Sequence, residues 1–387
     1  MRACMVAYTF YAMDNRVRRY AETLIELGWE VDAIALNSGN EPREETVNGA
    51  HVYRIQKRRK NEKSRYTYLL RLLRFLLVSG VFLTIRNFRR KYDLIHIHNV
   101  PDFEVFAGIV PRILGSKIIL DIHDILPELF TSKFGAKENS ALFGMLLLVE
   151  KISAAMADHV VIANQIWFDR ITHRSVPESK CTVIMNYPSP VHFHRRERKR
   201  RDDRFILLYP GALSHHQGID IAIRAVDSLK NKIPNLEFHI YGNGTDEASL
   251  RSLVRDLNLS NYVKFFGIVP IEQVADVMAE ADLAVEPKIR NPFSKDAFST
   301  KILEFMMLGI PVVASDTDVH KFYIPDELVK YFRAGDVNDL AESILILHQD
   351  GALRRQYVEK ATVFMRGNSW GSKKDIYLTL VNRLVRA

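Results

Sequence analysis

Residues 296–315, with the sequence DAFSTKILEFMMLGIPVVAS, decide the fold of this chain. Apolar side chains recur at helical spacing over residues 301–308, Gly309 is typical of a helix end, and residues 312–314 form a short apolar run. A helix that leads through a tight turn into a fully apolar strand is typical of a parallel sheet covered on both faces. The segment therefore predicts an α/β fold.

The same alternation of short apolar runs and helical patterns extends over nearly the whole chain. Strands are predicted at residues 4–8, 30–36, 51–55, 94–98, 118–122, 160–162, 182–185, 205–209, 236–241, 263–266, 283–285 and 312–314. Helices are predicted at residues 17–27, 219–229, 250–257, 274–279, 301–308, 340–348 and 376–384. This rhythm predicts two doubly wound, Rossmann-like domains, residues 1–187 and 205–368, facing a central cleft where ligands bind.

The joint between the two domains is predicted at residues 188–204. It contains Pro188 and Pro190, and the charged run 195–204 has neither strand nor helix periodicity. We interpret it as a basic, solvated interdomain linker. Residues 369–387 form a separate C-terminal helix in this prediction.

The composition of the chain indicates which kinds of partner it binds and which compartment it occupies. The 387 residues carry a formal net charge of +8, which favours anionic partners: nucleotides, phosphates, anionic lipid or nucleic acid. The two cysteines, Cys4 and Cys181, are too few for a disulfide framework and are typical of a reducing compartment. A charged helix follows the short N-terminal apolar run at once, so we expect a first strand there rather than a signal peptide, and a cytoplasmic protein.

Residues 66–85 form a largely apolar segment of about bilayer length. Arg71 and Arg74 interrupt it, which disfavours a transmembrane span. Basic residues flank it: Lys57, Arg58, Arg59, Lys60, Lys63, Arg65, Arg86, Arg89, Arg90 and Lys91. The pattern predicts an amphipathic helix on an anionic membrane surface, and the alternative is a packing helix with solvated ends.

Two glycine-containing loops follow predicted strands of the second domain. In the loop 209–218, Gly211 permits close backbone approach and the helix start near Gly218 offers free N–H groups, which suits a diphosphate. Gly242, in residues 241–244, ends the next strand. Neither loop is specific alone, because many strand-to-helix turns use glycine.

A pair of carboxylates gives the more specific signal. Asp296 is predicted in a loop and Glu304 inside the helix, where Glu304 can accept hydrogen bonds from two neighbouring hydroxyls, as on a ribose. Ser299 and Thr300 stand where the helix begins, as caps and phosphate donors, and Lys301 adds positive charge. An ordinary capped surface helix is the alternative, but it leaves the carboxylate spacing unexplained.

These motifs together resemble glycosyltransferase family 4, retaining enzymes of the GT-B fold, and in particular surface-polysaccharide enzymes of bacteria or archaea. The resemblance covers nearly the whole length. It is carried by residues 30–31, 92–98, 121–124, 127–128, Asn186, 211–218, 241–244, 266–270, 281–283, 296–315 and Trp370. It implies an acceptor-side first domain, a donor-binding second domain, and a last helix that returns to the first domain.

The resemblance also implies roles for particular residues. The catalytic set is His123 near the reacting sugar, Asp296 on the transferred sugar, Lys301 at the phosphates and Glu304 at the donor ribose. The donor-binding set is Gly211, Gln217, Gly218, Gly242, Phe298, Ser299, Thr300 and Leu303, the last four through the backbone. The acceptor-side set is Asp14, Asn15, Arg16 and His98.

Three departures from the family pattern stand out. Ala212 and Gln217 occupy positions where the family often has Arg and Lys, so phosphate charge falls to Lys301, His215, His216 and Arg16. Asp296 replaces the usual Glu and is one methylene shorter. Residues 13–16 replace the usual glycine-rich pair of the first loop.

Three histidines lie at or near the ends of predicted strands of the first domain. His123 is expected to face the cleft, with a structural hydrogen-bonding role as the alternative. His96 is interpreted as buried structure and His98, nearer the strand end, as a cleft residue. No zinc-ligand spacing and no suitable Asp-x-Asp pair is present, so no metal ligand set, no cofactor and a metal-independent reaction are expected.

The sequence thus predicts a glycosyltransferase, peripheral on the inner face of the cell membrane. The expected donor is a UDP-sugar first and a GDP-sugar second, and the expected acceptor is a glycan or polyprenyl-linked glycan. No specific nucleic acid partner is expected. A nucleotide-sugar epimerase of GT-B type, or a non-enzymatic binder of anionic surfaces, is the alternative.

Overall fold

Two sheets of largely parallel strands organise the chain, each covered by helices on both faces. The computed structural model describes residues 1–39, 41–58, 65–134, 140–291 and 293–386. It divides into unit 1, Met1–Asn186 with Lys374–Ala387, and unit 2, Tyr187–Lys373. The final helix passes from unit 2 into unit 1 at residues 373–374.

Unit 1 contains a sheet with the strand order β3-β4-β2-β1-β5-β6-β7-β8. Its strands are β1 Arg2–Ala7, β2 Glu30–Asn37, β3 Glu44–Val47, β4 Ala50–Lys57, β5 Leu94–His98, β6 Lys117–Ile122, β7 His159–Ile162 and β8 Cys181–Val183. Its helices are α1 Asn15–Glu26, α2 Arg65–Arg89, α3 Ile109–Ile113, α4 Leu126–Phe134, α5 Ala141–Met156 and α6 Gln165–Arg174. The strand order reverses direction beside β1 and β5, the point where open α/β sheets bind ligands.

Unit 2 repeats this plan with the strand order β11-β10-β9-β12-β13-β14. Its strands are β9 Phe205–Pro210, β10 Leu236–Tyr241, β11 Val263–Gly267, β12 Leu283–Glu286, β13 Val312–Ser315 and β14 Lys330–Phe332. Its helices are α7 Ile219–Leu229, α8 Glu247–Asp256, α9 Ile271–Ala279, α10 Thr300–Leu308, α11 Asp318–Tyr323, α12 Val337–Gln349 and α13 Gly351–Arg366, and α14 Trp370–Arg386 begins in unit 2 and belongs to unit 1 from Lys374 onward. The corresponding switch point lies between β9 and β12.

Alternating side chains of β9 show why this sheet is fully covered. Phe205, Leu207 and Tyr209 enter one apolar layer, while Ile206 and Leu208 enter the other. All are buried, so each contributes about 1.5–3 kcal/mol by leaving water. The predicted α/β class and its continuous apolar strands are confirmed.

An edge hairpin was missed by the sequence analysis. Strand β3 pairs antiparallel with β4, and its side chains are exposed or half-buried. Asn48 and Gly49 turn the chain between them with positive φ angles of 48° and 86°. This Asn-Gly pair is a strong signal for a hairpin turn, although the polar strand before it lacks an apolar run. Strand β14 and helix α13 were also missed.

The basic run 195–204 is exposed or half-buried, as expected of a solvated segment, but several of its arginines are ion-paired. Arg196 pairs with Asp276, and Arg198 and Arg200 both pair with Asp282. The ion pairs bind this stretch along unit 2, because α9 and the turn after it present carboxylates to it.

Helix α2 is long and apolar enough, over Thr67–Arg89, to cross a membrane by length and composition alone. Its inner face is buried through Leu72, Phe75 and Leu83. Its outer face exposes an apolar stripe at helical spacing: Leu70, Leu73, Leu77, Val81, Ile85 and Phe88. Arg59, Lys60 and Lys63 of the predicted basic flank lie outside the described residues, as does the side chain of Arg65.

Candidate active site

The switch point of unit 2 brings together the loops that follow β9 and β12. In the loop after β9, the amide of Gly211 donates to Tyr241 O (2.8 Å) and that of Leu213 donates to Asn243 O (2.9 Å). A Cβ on Gly242 would lie 1.9 Å from Gly211 O, so only glycine fits there. The structure thus gives Gly242 a packing role under the Gly211 loop.

Gly218 joins the two loops by a close backbone contact. Its φ of 67° is left-handed, and a Cβ on it would lie 2.0 Å from Pro287 O. The amides of Gln217 and Gly218 already donate to Ser214 O (2.9 Å) and His215 O (3.1 Å). The prediction of free N–H groups near Gly218 is therefore wrong at these two amides, because a 3-10 turn over His215–Gln217 uses them.

Lys301, in the first turn of α10, places its amine at this switch point. Its Nζ lies 3.1 Å from Glu286 Oε2 and 3.4 Å from Gln217 Oε1. The same nitrogen lies 4.8 Å from the centre of the Tyr209 ring. The Lys301 ammonium group thus lies beside Gln217, in the loop where the family often has a lysine.

The charges around Lys301 favour an anionic ligand. Burial raises the pKa of the Glu286 carboxyl, but Lys301 and Lys288 outweigh it, and the pKa is lowered overall. Burial alone would lower the pKa of Lys301, yet Glu286 raises it, so both groups are charged at neutral pH. Lys288 is also buried, and its Nζ donates to Ala297 O (2.7 Å). Glu286 thus faces two ammonium groups, and Glu304 adds a second carboxylate near Lys301 when it is ionised.

Glu304 lies one turn further along α10 than Lys301. Burial raises the pKa of its carboxyl to about 7, and Lys301 opposes the shift. Asp296 is buried in the loop before α10, as the pattern predicted. Ser299 occupies the N-cap position, but its side chain makes no capping hydrogen bond, so the predicted cap is wrong there. The first amides of α10 have no partner within the helix.

The side chains of the other predicted donor residues pack into unit 2. Leu303 is buried in the core, and the Phe298 ring meets His320 and Tyr323 edge-on, at centroid distances of 5.9 and 5.4 Å. These two side chains are engaged in packing, so the expected donor contacts through their backbones stay a prediction. Thr300 is half-buried at the start of the helix.

The pKa of His216 does not support the expectation that its ring supplies charge for phosphate. Burial, followed by the neighbouring Lys288 and Lys301, lowers the pKa of His216 to about 4. The ring is therefore neutral at pH 7, and its contribution is limited to hydrogen bonding. Lys301 carries the positive charge instead.

The second candidate site lies at the carboxyl ends of β5 and β6 in unit 1, around Asp121. Its Oδ2 lies 3.0 Å from Arg16 Nε, 3.0 Å from His98 Nδ1 and 3.1 Å from His123 Nε2. Arg16 Nη2 also bonds the other oxygen. The His98 and His123 nitrogens lie 3.2 Å apart. The predicted residues His98, His123 and Arg16 are thus brought together by a carboxylate that the prediction omitted.

One ion pair neutralises this cluster. Burial raises the pKa of Asp121, but Arg16 and the histidines hold it well below its usual range. Burial lowers the pKa of His98 and His123, and Arg16 lowers that of His123 further, so both rings are neutral at pH 7. Arg16 is paired with Asp121 through Nε and Nη2, while its Nη1 has no hydrogen-bond partner among the described residues, so a role for Arg16 at phosphate stays a prediction.

The cluster also offers three groups of metal-ligand type, on His96, His98 and Asp121, with ligand atoms within 4.8 Å of one another. Both oxygens of Asp121 bond to Arg16, so a guanidinium already stands where a cation would bind. The residues therefore fit an ion-pair centre rather than a metal centre.

Surrounding side chains hold the cluster in place. The Tyr377 hydroxyl of α14 lies 3.2 Å from His96 Nδ1, and the Tyr20 ring lies 4.8 Å from that of His96, centre to centre. All three are fully buried, as predicted for His96. Asp14 caps α1 by accepting from the amides of Arg16 and Val17 (3.1 and 3.2 Å), beside the half-buried Asn15.

Both sites contain residues that the sequence analysis gave no role. Glu286 ends β12 and Lys288 follows it, without a motif that singles them out. Asp121 is the direct register partner of His98 across β5 and β6, a relation that only the sheet pairing reveals. An acidic residue at the end of a predicted parallel strand was the available signal for both carboxylates.

The two Rossmann-like units, each with polar groups at its switch point, define a class of enzyme with the GT-B fold. A structure of the Anabaena protein HepE in complex with UDP and glucose has this fold, with a TM-score of 0.72 at 16% identity over 98% of this chain and 99% of that one. Residues 12–187 match the family described as glycosyl transferase 4-like domain. Residues 191–364 match glycosyl transferases group 1.

The chain therefore belongs to the group 1 glycosyltransferases of family 4 and is a transferase, which confirms the predicted resemblance. An uncharacterized glycosyltransferase of Methanocaldococcus jannaschii is 26% identical over 308 residues, 76% of this chain and 74% of that one. A phosphatidylinositol N-acetylglucosaminyltransferase subunit of Saccharomyces cerevisiae is 20% identical over 343 residues, 86% of this chain and 70% of that one.

Proposed function

We propose that this enzyme transfers a sugar, with retention of anomeric configuration, from a nucleoside diphosphate sugar to a glycan or lipid-linked glycan of a cell-surface polysaccharide. A UDP-sugar is the first candidate donor and a GDP-sugar the second. The observation that carries the proposal is the Lys301 amine, held at the switch point of unit 2 beside Gln217 and one helical turn from Glu304. The UDP bound to HepE supports the choice of nucleotide.

The donor diphosphate would bind between the Gly211 loop and the start of α10. Lys301 supplies the cation there, and the first amides of α10 supply hydrogen bonds with the positive end of the helix dipole. Glu304 would accept hydrogen bonds from the two ribose hydroxyls. Asp296 would contact the transferred sugar.

In the proposed reaction, the bond between the anomeric carbon and the diphosphate oxygen breaks, and the diphosphate leaves with the electron pair. The acceptor hydroxyl attacks the same face, and its proton passes to the leaving oxygen. Lys301 stabilises the negative charge that develops on the diphosphate, which is the largest contribution we assign to any side chain. No metal ion takes part in this scheme.

The acceptor is proposed to be membrane-bound. The yeast relative named for phosphatidylinositol supports a lipid-carried acceptor. Helix α2 supports a membrane surface through its outer stripe, where Leu77 and Val81 are 68% and 60% exposed. On α5, which packs against the same 3-10 helix (Asp102–Gly108) as α2, Met145 and Leu148 are also exposed. Such apolar area on a folded surface marks an interaction site. The enzyme would act on the cytoplasmic face of the membrane.

Replacing Leu77 and Val81 together by glutamate is expected to lower partitioning onto phosphatidylglycerol vesicles about tenfold or more, because two apolar side chains no longer enter the interface. Vesicle co-sedimentation measures this. The matched control replaces Phe322 and Val363, 58% and 62% exposed on unit 2, by glutamate and leaves partitioning unchanged. Equal partitioning of the first variant and the wild type would remove α2 from the membrane contact.

The affinity for UDP-glucose is expected to rise about tenfold from pH 6 to pH 8. Glu304, with a pKa of about 7, is mostly protonated at pH 6 and ionised at pH 8, and only the carboxylate accepts from both ribose hydroxyls. The diphosphate of UDP-glucose is fully ionised throughout. Calorimetric titration measures the affinity. Glu304→Gln should bind weakly with no such rise, and a rise that persists in Glu304→Gln would contradict the assignment.

The function itself is tested by incubating the enzyme with a panel of UDP- and GDP-sugars and a bacterial lipid extract. Mass spectrometry should find a glycosylated lipid and an equal amount of released nucleoside diphosphate. Free epimerised donor without a glycosylated product would favour the epimerase. Binding of anionic vesicles or DNA with neither product would favour the non-enzymatic binder.

A further inference from the structure

The placement of Asp121 fixes which nitrogen of each neighbouring histidine carries the proton. A carboxylate only accepts hydrogen bonds, so a ring nitrogen 3.0–3.1 Å from it must carry hydrogen. This holds for His98 Nδ1 and His123 Nε2 at once. The two nitrogens lie 3.2 Å apart, and two N–H groups so close would repel each other without the shared acceptor.

The opposite ring nitrogens are then lone-pair acceptors. His98 Nε2 is buried and has no hydrogen-bond partner among the described residues. A buried acceptor without a partner is tolerated better than a buried donor, so this observation agrees with a proton on Nδ1. The His123 side chain is 19% exposed. Of the two rings, that of His123 is therefore the one that a ligand can reach, and its acceptor nitrogen is Nδ1.

We infer that Asp121 is a positioning residue that holds His98 in its Nδ1–H form and His123 in its Nε2–H form, so that His123 Nδ1 accepts a hydrogen bond from a sugar hydroxyl. Arg16 makes this arrangement stable by bonding both oxygens of the carboxylate and fixing its plane. Without Asp121, His98 Nδ1 and His123 Nε2 would form a hydrogen bond with each other. One of these two nitrogens would then be the acceptor, and its ring would carry the proton on the opposite nitrogen.

The inference rests on the proposed function only for the identity of the hydroxyl. The test is the long-range proton–nitrogen spectrum of the full chain with ¹⁵N-labelled histidine at pH 7, without donor or acceptor. His98→Asn and His123→Asn assign the signals by deleting them. The tautomers are therefore measured independently of any sugar transfer.

The expected result for the wild-type protein is one neutral ring protonated at Nδ1, His98, and one protonated at Nε2, His123. A wild-type spectrum with His98 protonated at Nε2 would overturn the inference, because the two rings would then be bonded to each other. This result does not depend on any variant at Asp121 being able to fold.

The double variant Arg16→Met with Asp121→Leu removes the carboxylate without leaving a buried unpaired charge. One of the two rings is expected to change tautomer, and unchanged tautomers in both would sink the inference. The matched control is Arg204→Met with Glu237→Leu. Glu237 likewise bonds an arginine (3.1 Å) and a histidine, His239 (2.6 Å), in unit 2. This control should change the signals of His239 and leave those of His98 and His123 in place.

Discussion

Lys301→Gln is expected to lower kcat by roughly 10²–10³-fold, because the glutamine cannot stabilise the charge that develops on the leaving diphosphate. The loss should be large because this site has no arginine or lysine in the Gly211 loop, where Ala212 and Gln217 stand. Release of nucleoside diphosphate from the donor identified in the sugar panel measures kcat. Lys264→Gln, a surface lysine of β11 that donates to Ser260 O, is the matched control and should retain wild-type turnover.

Stability has to be separated from catalysis in this variant. Lys301→Gln removes the nearer of the two ammonium groups that face the buried Glu286 and leaves only Lys288, which costs up to about 3–5 kcal/mol of unfolding free energy. The double variant Lys301→Gln with Glu286→Gln removes both charges and should recover most of that stability while turnover stays low. Recovery of turnover in the double variant would show that Lys301 acts only by holding the fold.

Gly218→Ala is expected to lower the free energy of unfolding by about 2–5 kcal/mol and to abolish measurable donor binding. The left-handed φ contributes about 1–2 kcal/mol of this cost. The larger consequence is that the new Cβ must move the turn away from Pro287 O, which separates Gln217 from Lys301. Urea unfolding followed by circular dichroism and UDP calorimetry measure the two effects.

Gly335→Ala isolates the backbone contribution. Gly335 also has a left-handed φ, 91°, but nothing lies within 4 Å of its Cβ position. We expect it to cost about 1–2 kcal/mol and to leave UDP affinity unchanged. Equal effects of the two substitutions would show that the contact with Pro287 does not hold the loop.

The elements that position both sites follow from local patterns in the sequence. Helix α7, Ile219–Leu229, and strand β10, Leu236–Tyr241, have the predicted bounds, because apolar periodicity and a glycine or polar boundary mark both ends. Asp296 in a loop and Glu304 inside α10 also lie where their spacing placed them. These features depend on residues that are close together in the sequence, so the pattern of neighbouring residues is enough to predict them.

The missed site features depend on long-range pairing. Asp121 reaches His98 because β5 and β6 pair in register, and Glu286 reaches Lys301 across 15 residues of chain. The charge states were also missed. Whether Arg16 and His216 are available to phosphate depends on burial and on neighbours distant in sequence, which periodicity does not contain.

The central claim is that unit 2 binds the nucleoside diphosphate at the Gly211 loop and the start of α10. Calorimetric titration with UDP at pH 8, without added metal, tests it most directly, with Glu304→Ala and the exposed Glu342→Ala of α12 measured beside the wild-type protein. We expect the wild type and Glu342→Ala to bind UDP equally and Glu304→Ala to lose most of the affinity. Unchanged UDP affinity in Glu304→Ala, or no UDP binding by the wild type, would contradict it.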